Sequence, residues 1–221
     1  MPRKREDIDI IFFDLDSTII DCESLDEIAK AIGKDFENIT KEGMEGKISF
    51  EKSIKKRAEL LKNVKIKEIE KAIERIPIMR GAKETISLLK KAGYKVVLIT
   101  GGFTVVTDRI NKELDFDLII ANRLIVKNGS IVDVEGPIMS DNSKAKEAEK
   151  VSKLFSIPLD RCAAVGDGAN DRAIFNKVKL KVAFNPKPIL EPIADYIIKD
   201  RDLRRILPIF LKDDCNGNRE A

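Results

Sequence analysis

The 221-residue chain contains no histidine. That absence removes histidine nucleophiles, histidine general bases and histidine metal ligands together. Any catalysis must use carboxylates, hydroxyls, lysine or cysteine. Cysteine is itself scarce: Cys22, Cys162 and Cys215 lie far apart with no CxxC pair, so neither a disulfide framework nor a zinc site is expected. No apolar run approaches the roughly 18 residues needed to span a bilayer, and the charged start MPRKREDID lacks the apolar segment of a signal peptide. The expectation is an intracellular, cytoplasmic protein with no membrane partner. A block of single-sign charge is also missing. The 41 basic and 38 acidic side chains are interspersed, for a net charge of +3, and this pattern calls for no nucleic acid. Monomer and homodimer both stay open.

A hydrophobic content of 43% supplies a real core, and the length suits one generous domain or a domain with an insert. Strand candidates are IDIIFF at 8–13, KVVLIT at 95–100, DLIIA at 117–121, CAAVG at 162–166 and LKVAF at 180–184. Short apolar runs separated by helical patterns predict an α/β fold, with a Rossmann-like parallel sheet buried on both faces. One interval breaks the rhythm. More than 80 residues separate the first strand from KVVLIT, and 21–77 show helical periodicity, which one crossover helix does not need. Within this stretch Ser24 and Glu27 read as a capping box, ahead of an apolar face of Leu25, Ile28, Ala29 and Ile32 closed by Gly33. Two further patterns follow, one with Phe50, Ile54, Ala58 and Leu61, the other with Ile66, Ile69, Ile73 and Ile76 before Pro77. The expected organisation is a core of residues 1–20 and 78–221 around a helical-bundle cap of residues 21–77, with hinges near 19–23 and 76–80. Residues 121–138 alternate on both sides of Lys127-Asn128-Gly129 and read as a small β-hairpin appended to the core, and the polar DDCNGNREA at 213–221 reads as a frayed tail.

In an open parallel sheet, ligands gather beyond the carboxyl ends of the strands where strand order reverses. DLDST, with Asp14 and Asp16, falls there; so do Thr100-Gly101-Gly102 and GDGAND at 166–171, whose glycines read as tight-turn residues with Asp167 and Asp171 facing one mouth. Lys144, just ahead of AKEAEKVSKLF, is a fourth member. Taken alone each has an ordinary reading: a loop or helix cap, a strand-to-helix turn, a surface lysine. Together they suit a hard cation, since Mg²⁺ prefers oxygen ligands and takes few carboxylates. Asp14, Asp16 and Asp167 are the expected ligands, Asp16 through its carbonyl, with Asp171 outside them. Asp14 can also attack phosphorus to form an aspartyl phosphate. Asp16, two residues on, can protonate the leaving oxygen and later deprotonate water. Lys144, Thr100 and the backbone about Gly101 would neutralise and position the phosphoryl group.

DLDST, TGG, Lys144 and GDGAND, in this order, resemble the four motifs of the haloacid dehalogenase superfamily of phosphohydrolases, over about residues 8–211. An aspartate at position 16 resembles its phosphatase branch. CESLDEIA, MEGKISFEKSIKKRAELL, TGGFT, ANRLIVKNG and VGDGAND resemble the superfamily's phosphoserine phosphatases. That resemblance implies Mg²⁺ as cofactor and a small phosphorylated amino acid as partner. Glu23 would meet the substrate's ammonium and Arg57 its carboxylate, Met44 and Phe50 would cover the pocket, and Gly102 and Asn170 would join the substrate contacts. Phe50 and Arg57, seven residues apart, share a face if one helix carries both. Thr100 departs from the serine common among these relatives but keeps the hydroxyl. On residue type alone Glu23 is equally a helix-terminus acid, Arg57 part of a solvated face, and Met44 and Phe50 bundle core. Transfer to homoserine, or another small phosphomonoester, is the alternative activity. A signalling receiver domain is disfavoured, because its phosphoacceptor follows its third strand whereas these acidic motifs follow the first and fourth.

Overall fold

A computed structural model of the chain describes residues 3–44 and 47–212. Its strands are β1 (Arg3–Lys4), β2 (Ile10–Phe13), β3 (Lys95–Phe103), β4 (Leu118–Lys127), β5 (Ser130–Glu135), β6 (Cys162–Gly166), β7 (Leu180–Phe184), β8 (Tyr196–Ile198) and β9 (Leu211–Lys212). The helices are α1 (Ser24–Ala31), α2 (Glu37–Met44), α3 (Phe50–Leu61), α4 (Ile66–Ile73), α5 (Ala82–Lys91), α6 (Thr104–Leu114), α7 (Ser143–Phe155), α8 (Arg172–Phe175) and α9 (Leu207–Phe210). The predicted tail at 213–221, with Cys215, lies outside the described residues. So do the side chains of Met44 and Phe50.

Seven strands form one sheet in the order β5-β4-β3-β2-β6-β7-β8. Every neighbouring pair is parallel apart from β4 and β5. Side chains alternate between the two faces with the period of a strand. Ile11, Phe13, Val96, Leu98, Ala163 and Val165 share one cluster with Ile86 of α5 and Val106 and Ile110 of α6. On the opposite face Ile10, Phe12, Val97, Ile99 and Ala164 share another with Ala148 and Val151 of α7 and Ile174 and Phe175 of α8. Burial on both faces is why these strands read as continuous apolar runs. From β2 the chain moves outward through β3 and β4, then crosses to the other side of β2 for β6, β7 and β8. Strand order therefore reverses about β2, and Asp14 is the first residue beyond its carboxyl end.

Four helices, α1 to α4, fill the long interval after β2, one more than the sequence patterns suggest, since α2 carries no clear apolar stripe. The stretch enters and leaves through a short antiparallel pairing of Ile20 with Ile78, in which Met79 N–H donates to the Ile19 carbonyl at 2.9 Å and Asp21 N–H to that of Pro77 at 2.9 Å. A second attachment joins it to the β4–β5 hairpin: Asn63 N–H donates to the Ile131 carbonyl, Ile131 N–H to that of Val64, and Ile66 N–H to that of Gly129, at 2.8, 2.8 and 3.0 Å. From α6, Arg109 donates to the Ile76 carbonyl at 2.7 Å.

Several expectations need correction. Ser24 is not an N-cap: Glu23 holds that position without a side-chain cap bond, and Ser24 N–H goes to Asp16 Oδ1 at 2.6 Å. A tertiary acceptor has replaced the local one. The hairpin is no appendage, because β4 runs unbroken from parallel pairing with β3 into antiparallel pairing with β5. Its turn is as expected, with Asn128 and Gly129 both at positive φ (51° and 74°), the backbone that a two-residue hairpin loop requires. Lys144 lies within the first turn of α7, not before the helix. The edge strand β8 and the β1–β9 pair were not anticipated; at two or three residues each, they are too short to show a period.

Candidate active site

Most of the expected residues converge. Asp14, Asp16, Glu23, Arg57, Gly101, Gly102, Asp167 and Asn170 line one cavity of about 110 Å³ beyond the carboxyl ends of β2, β3 and β6. Thr100, Lys144 and Asp171 are buried behind that lining. Sequence reasoning missed Leu25, Ser53, Asp141 and Lys187, which also line the cavity. Lys187 follows the end of β7, so the strand-end rule that found the other motifs applies to it as well. Ser53 and Asp141 gave no comparable signal.

Lys144 is the charge centre of the buried layer. Its ammonium lies 2.7 Å from Asp14 Oδ1 and 2.7 Å from Asp171 Oδ1. Burial would push this lysine down, but the two carboxylates outweigh it and hold the pKa above the usual lysine range. Asp14 Oδ1 also accepts Leu15 N–H at 2.7 Å, while Oδ2 has a long 3.4 Å contact from Asn170 Nδ2. One oxygen is thus anchored and the other is turned to the cavity. Asp171 is fully engaged: Oδ1 takes Lys144, and Oδ2 takes the N–H groups of Asp167 at 3.1 Å and Gly168 at 3.3 Å. The glycines of GDGAND work differently from the tight-turn expectation. Neither Gly166 nor Gly168 has a left-handed φ, and a Cβ on Gly166 would lie 2.3 Å from Asp171 Oδ2. Gly166 is there to admit the Asp171 carboxylate.

On β3, the Gly101–Gly102 peptide is held at both ends. Gly102 N–H donates to Thr100 Oγ1 at 2.9 Å, and the Gly101 carbonyl accepts from Asn122 Nδ2 at 3.0 Å. Asn122 also donates to the Ile138 carbonyl at 2.8 Å and accepts Ile138 N–H at 3.0 Å. Gly136 makes room for it, since a Cβ there would meet Asn122 Oδ1 at 2.3 Å.

Glu23 Oε1 accepts the Ser17 hydroxyl at 2.9 Å. On α3, Arg57 is tethered to Ser53, Nη2 donating to Oγ at 3.0 Å. Burial holds the Arg57 pKa below its usual value, against the pull of Asp16, Asp26 and Glu23. Burial also dominates the acids. It raises Asp16 to about 7, with Glu23 and Asp14 adding repulsion, and Asp171 to about 6 against the opposing Lys144. Asp167 is pushed well above the ordinary range by burial, then by Asp14 and Asp171.

Carboxylate oxygens of Asp14, Asp167 and Asp171 lie within 4.8 Å of one another. Such a cluster can hold a metal. The donor set is all oxygen and the acids are short of positive charge, both of which fit a hard divalent cation. The Asp16 carboxylate is not in this group; its Oδ1 accepts Ser24 N–H.

Residues 11–175 match the family model of haloacid dehalogenase-like hydrolases. The chain is 48% identical over 201 residues to the phosphoserine phosphatase of Methanocaldococcus jannaschii, covering 90% of this chain and 95% of that protein. It superposes on a solved structure of a substrate-bound phosphoserine phosphatase complex with a TM-score of 0.88 at 46% identity, over 93% of this chain and 99% of the other. With a structure described as the phospho-aspartyl intermediate analogue of phosphoserine phosphatase the TM-score is 0.87 at 47% identity, over 91% and 98%. Among the described residues no helix is long and apolar enough to cross a membrane. By its motifs, its sheet and its relatives, this chain belongs to the haloacid dehalogenase-like hydrolase family, on its phosphoserine phosphatase branch.

Proposed function

We propose that this enzyme hydrolyses O-phospho-L-serine to L-serine and phosphate through an aspartyl phosphate on Asp14. The observation that carries the reading is one cavity lined together by Asp14, Asp16, Asp167, Glu23 and Arg57. Phosphoserine offers a phosphate, an ammonium and a carboxylate. Lys144 with the Gly101–Gly102 backbone, Glu23 and Arg57 complement these groups in turn, Arg57 as a bidentate carboxylate binder. Asp14 Oδ2 attacks phosphorus as the bond to the serine oxygen breaks, and Asp16 gives that oxygen its proton. Water then attacks the phosphorus and gives a proton back to Asp16. The acyl-phosphate bond to Asp14 breaks, phosphate leaves, and both carboxyl groups return to their starting states.

Mg²⁺ is the proposed cation, held by Asp14, Asp167 and the Asp16 carbonyl, with Asp171 orienting the set through its bonds to Lys144 and the loop amides; bound there, it would neutralise charge on the phosphoryl group. The raised Asp16 suits an acid that must carry a proton near neutral pH. Residues 21–77 are the proposed cap over a core of 1–20 and 78–221, with the Ile20–Ile78 pairing as its two-stranded hinge. The roles expected of Met44 and Phe50 stay proposals from sequence. A cytoplasmic place and a monomeric or dimeric state belong to the same reading.

The test is a substrate panel with two variants. Asp14→Asn should lose on the order of 10⁴-fold in turnover and trap no phosphoprotein, with its fold intact. Arg57→Ala should lose about 10²-fold in kcat/KM for phosphoserine and little for phosphomonoesters without a carboxylate. Near-normal turnover by Asp14→Asn would end the mechanism; unchanged preference in Arg57→Ala would end the substrate assignment.

A further inference from the structure

The cavity is lined by a lysine that the proposed chemistry does not use. Lys187 sits in Phe184-Asn185-Pro186-Lys187-Pro188 at the end of β7, where local geometry restricts its backbone. Asn185 takes a left-handed φ of 44°. Pro186 has its own φ fixed, and Pro188 biases Lys187 towards extended backbone. Lys187 N–H donates to the Asp167 carbonyl at 2.7 Å. The side chain returns to the same residue: Nζ lies 3.3 Å from Asp167 Oδ2 and 4.0 Å from Glu23 Oε1.

Comparison with Lys144 is instructive. Lys144 neutralises Asp14 and Asp171 and its side chain is 3% exposed, whereas that of Lys187 is 35% exposed. Lys144 is a permanent part of the buried layer. Lys187 has a partly exposed, flexible four-carbon stem, so its ammonium can leave without disturbing the fold. A divalent cation on Asp167 and an ammonium 3.3 Å from the same carboxylate repel each other, and only one of the two is mobile within the chain.

We propose that Lys187 is a built-in counter-cation of the acidic cluster, which occupies Asp167 in the metal-free enzyme and must be displaced when the divalent cation binds. The inference rests on reading Asp14 and Asp167 as the cation site. It makes Lys187 a residue that sets metal affinity, separate from those that handle the substrate. The displaced ammonium stays beside Glu23, so loading of the metal and the charge on the cap side of the cavity are linked through one side chain.

The test is titration of the full-length, chelator-stripped protein with Mg²⁺ by calorimetry, without substrate, in wild type, Lys187→Gln and Lys187→Arg. Removing the competitor should tighten Mg²⁺ binding in Lys187→Gln by roughly three- to tenfold, the scale of one unit charge at this distance in a wet site. Lys187→Arg should bind like wild type. Thermal melts supply the second reading: without metal Lys187→Gln should melt below wild type, and saturating Mg²⁺ should raise its Tm by more than it raises that of wild type. Equal or weaker Mg²⁺ binding by Lys187→Gln overturns the proposal, because it makes Lys187 a support of the site and not a rival. Binding by neither protein overturns the cation site as well.

Discussion

The backbone N–H of Ser24 donates to Asp16 Oδ1 at 2.6 Å, so the first residue of α1 is bonded to the proposed acid of the core. This bond favours the charged form of Asp16, yet burial, with Glu23 and Asp14, wins and raises the pKa to about 7. Unfolded, the same carboxyl titrates near 3.8. Between these values the folded chain keeps a proton that the unfolded chain has lost, so this group's share of stability is full below about pH 4 and falls as pH rises through 7. Asp16→Asn removes that dependence. In chelator, its Tm should match wild type near pH 4 and exceed it by roughly 3–8 °C at pH 7.5. An equal Tm difference at both pH values would show that Asp16 is not held protonated.

Lys144 is the single cation between two buried carboxylates. Breaking a buried ion pair from one side leaves charge uncompensated and costs about 3–5 kcal/mol. Lys144→Met should lose stability on that scale in denaturant titration at pH 7.5. Lowering the pH towards 5 should restore part of it, since Asp171, already raised to about 6 by burial, then takes up a proton. A loss below about 1 kcal/mol would contradict the buried-triad description.

Asn122 should tune phosphate binding from outside the cavity. Asn122→Leu leaves the Gly101 and Ile138 carbonyls and the Ile138 N–H without their side-chain partner, at about 1–3 kcal/mol for each buried group. Gly136→Ala should act in the same direction by crowding Asn122. Both should weaken competitive inhibition by inorganic phosphate more than they weaken binding of phosphate-free L-serine. Equal loss for the two ligands would mean that the Gly101–Gly102 peptide has no special part in holding phosphate.

The clip between the proposed cap and the hairpin should open as a unit. Amides of Asn63, Ile66 and Ile131 donate across it. In native-state hydrogen exchange they should share one opening free energy, below that of the β2 and β6 amides. Asp21 and Met79, which donate across the Ile20–Ile78 pairing, should remain protected longer if the proposed cap swings about that pairing. Exchange of Asn63 and Ile131 only at the global rate would show that the cap never leaves the hairpin.

The sheet core was legible because strands buried on both faces have no polar face to confuse the pattern: IIFF, CAAVG and LKVAF are where the apolar runs lie. The motifs that converge on the cavity were legible for a related reason, since a strand end, a glycine and an acid are local features that survive without knowledge of their neighbours. Edge strands of two or three residues were not, and α2 lacks the stripe that marks a helix.

Sequence alone narrowed the chemistry available: with histidine absent, catalysis falls to carboxylates, hydroxyls, lysine or cysteine, and the acidic and hydroxyl motifs lie at strand ends. Tertiary structure decided which partner each group has. Ser24 looked like a helix cap and instead bonds Asp16. Gly166 looked like a turn and instead admits Asp171. Lys187 carried no reading of its own in the sequence and lies against Asp167. The physical reason is common to all three: a hydrogen bond, a close steric fit and an ion pair are each made with whatever lies nearest in space, and residues 8, 5 and 20 positions apart become nearest only when strands and helices have packed.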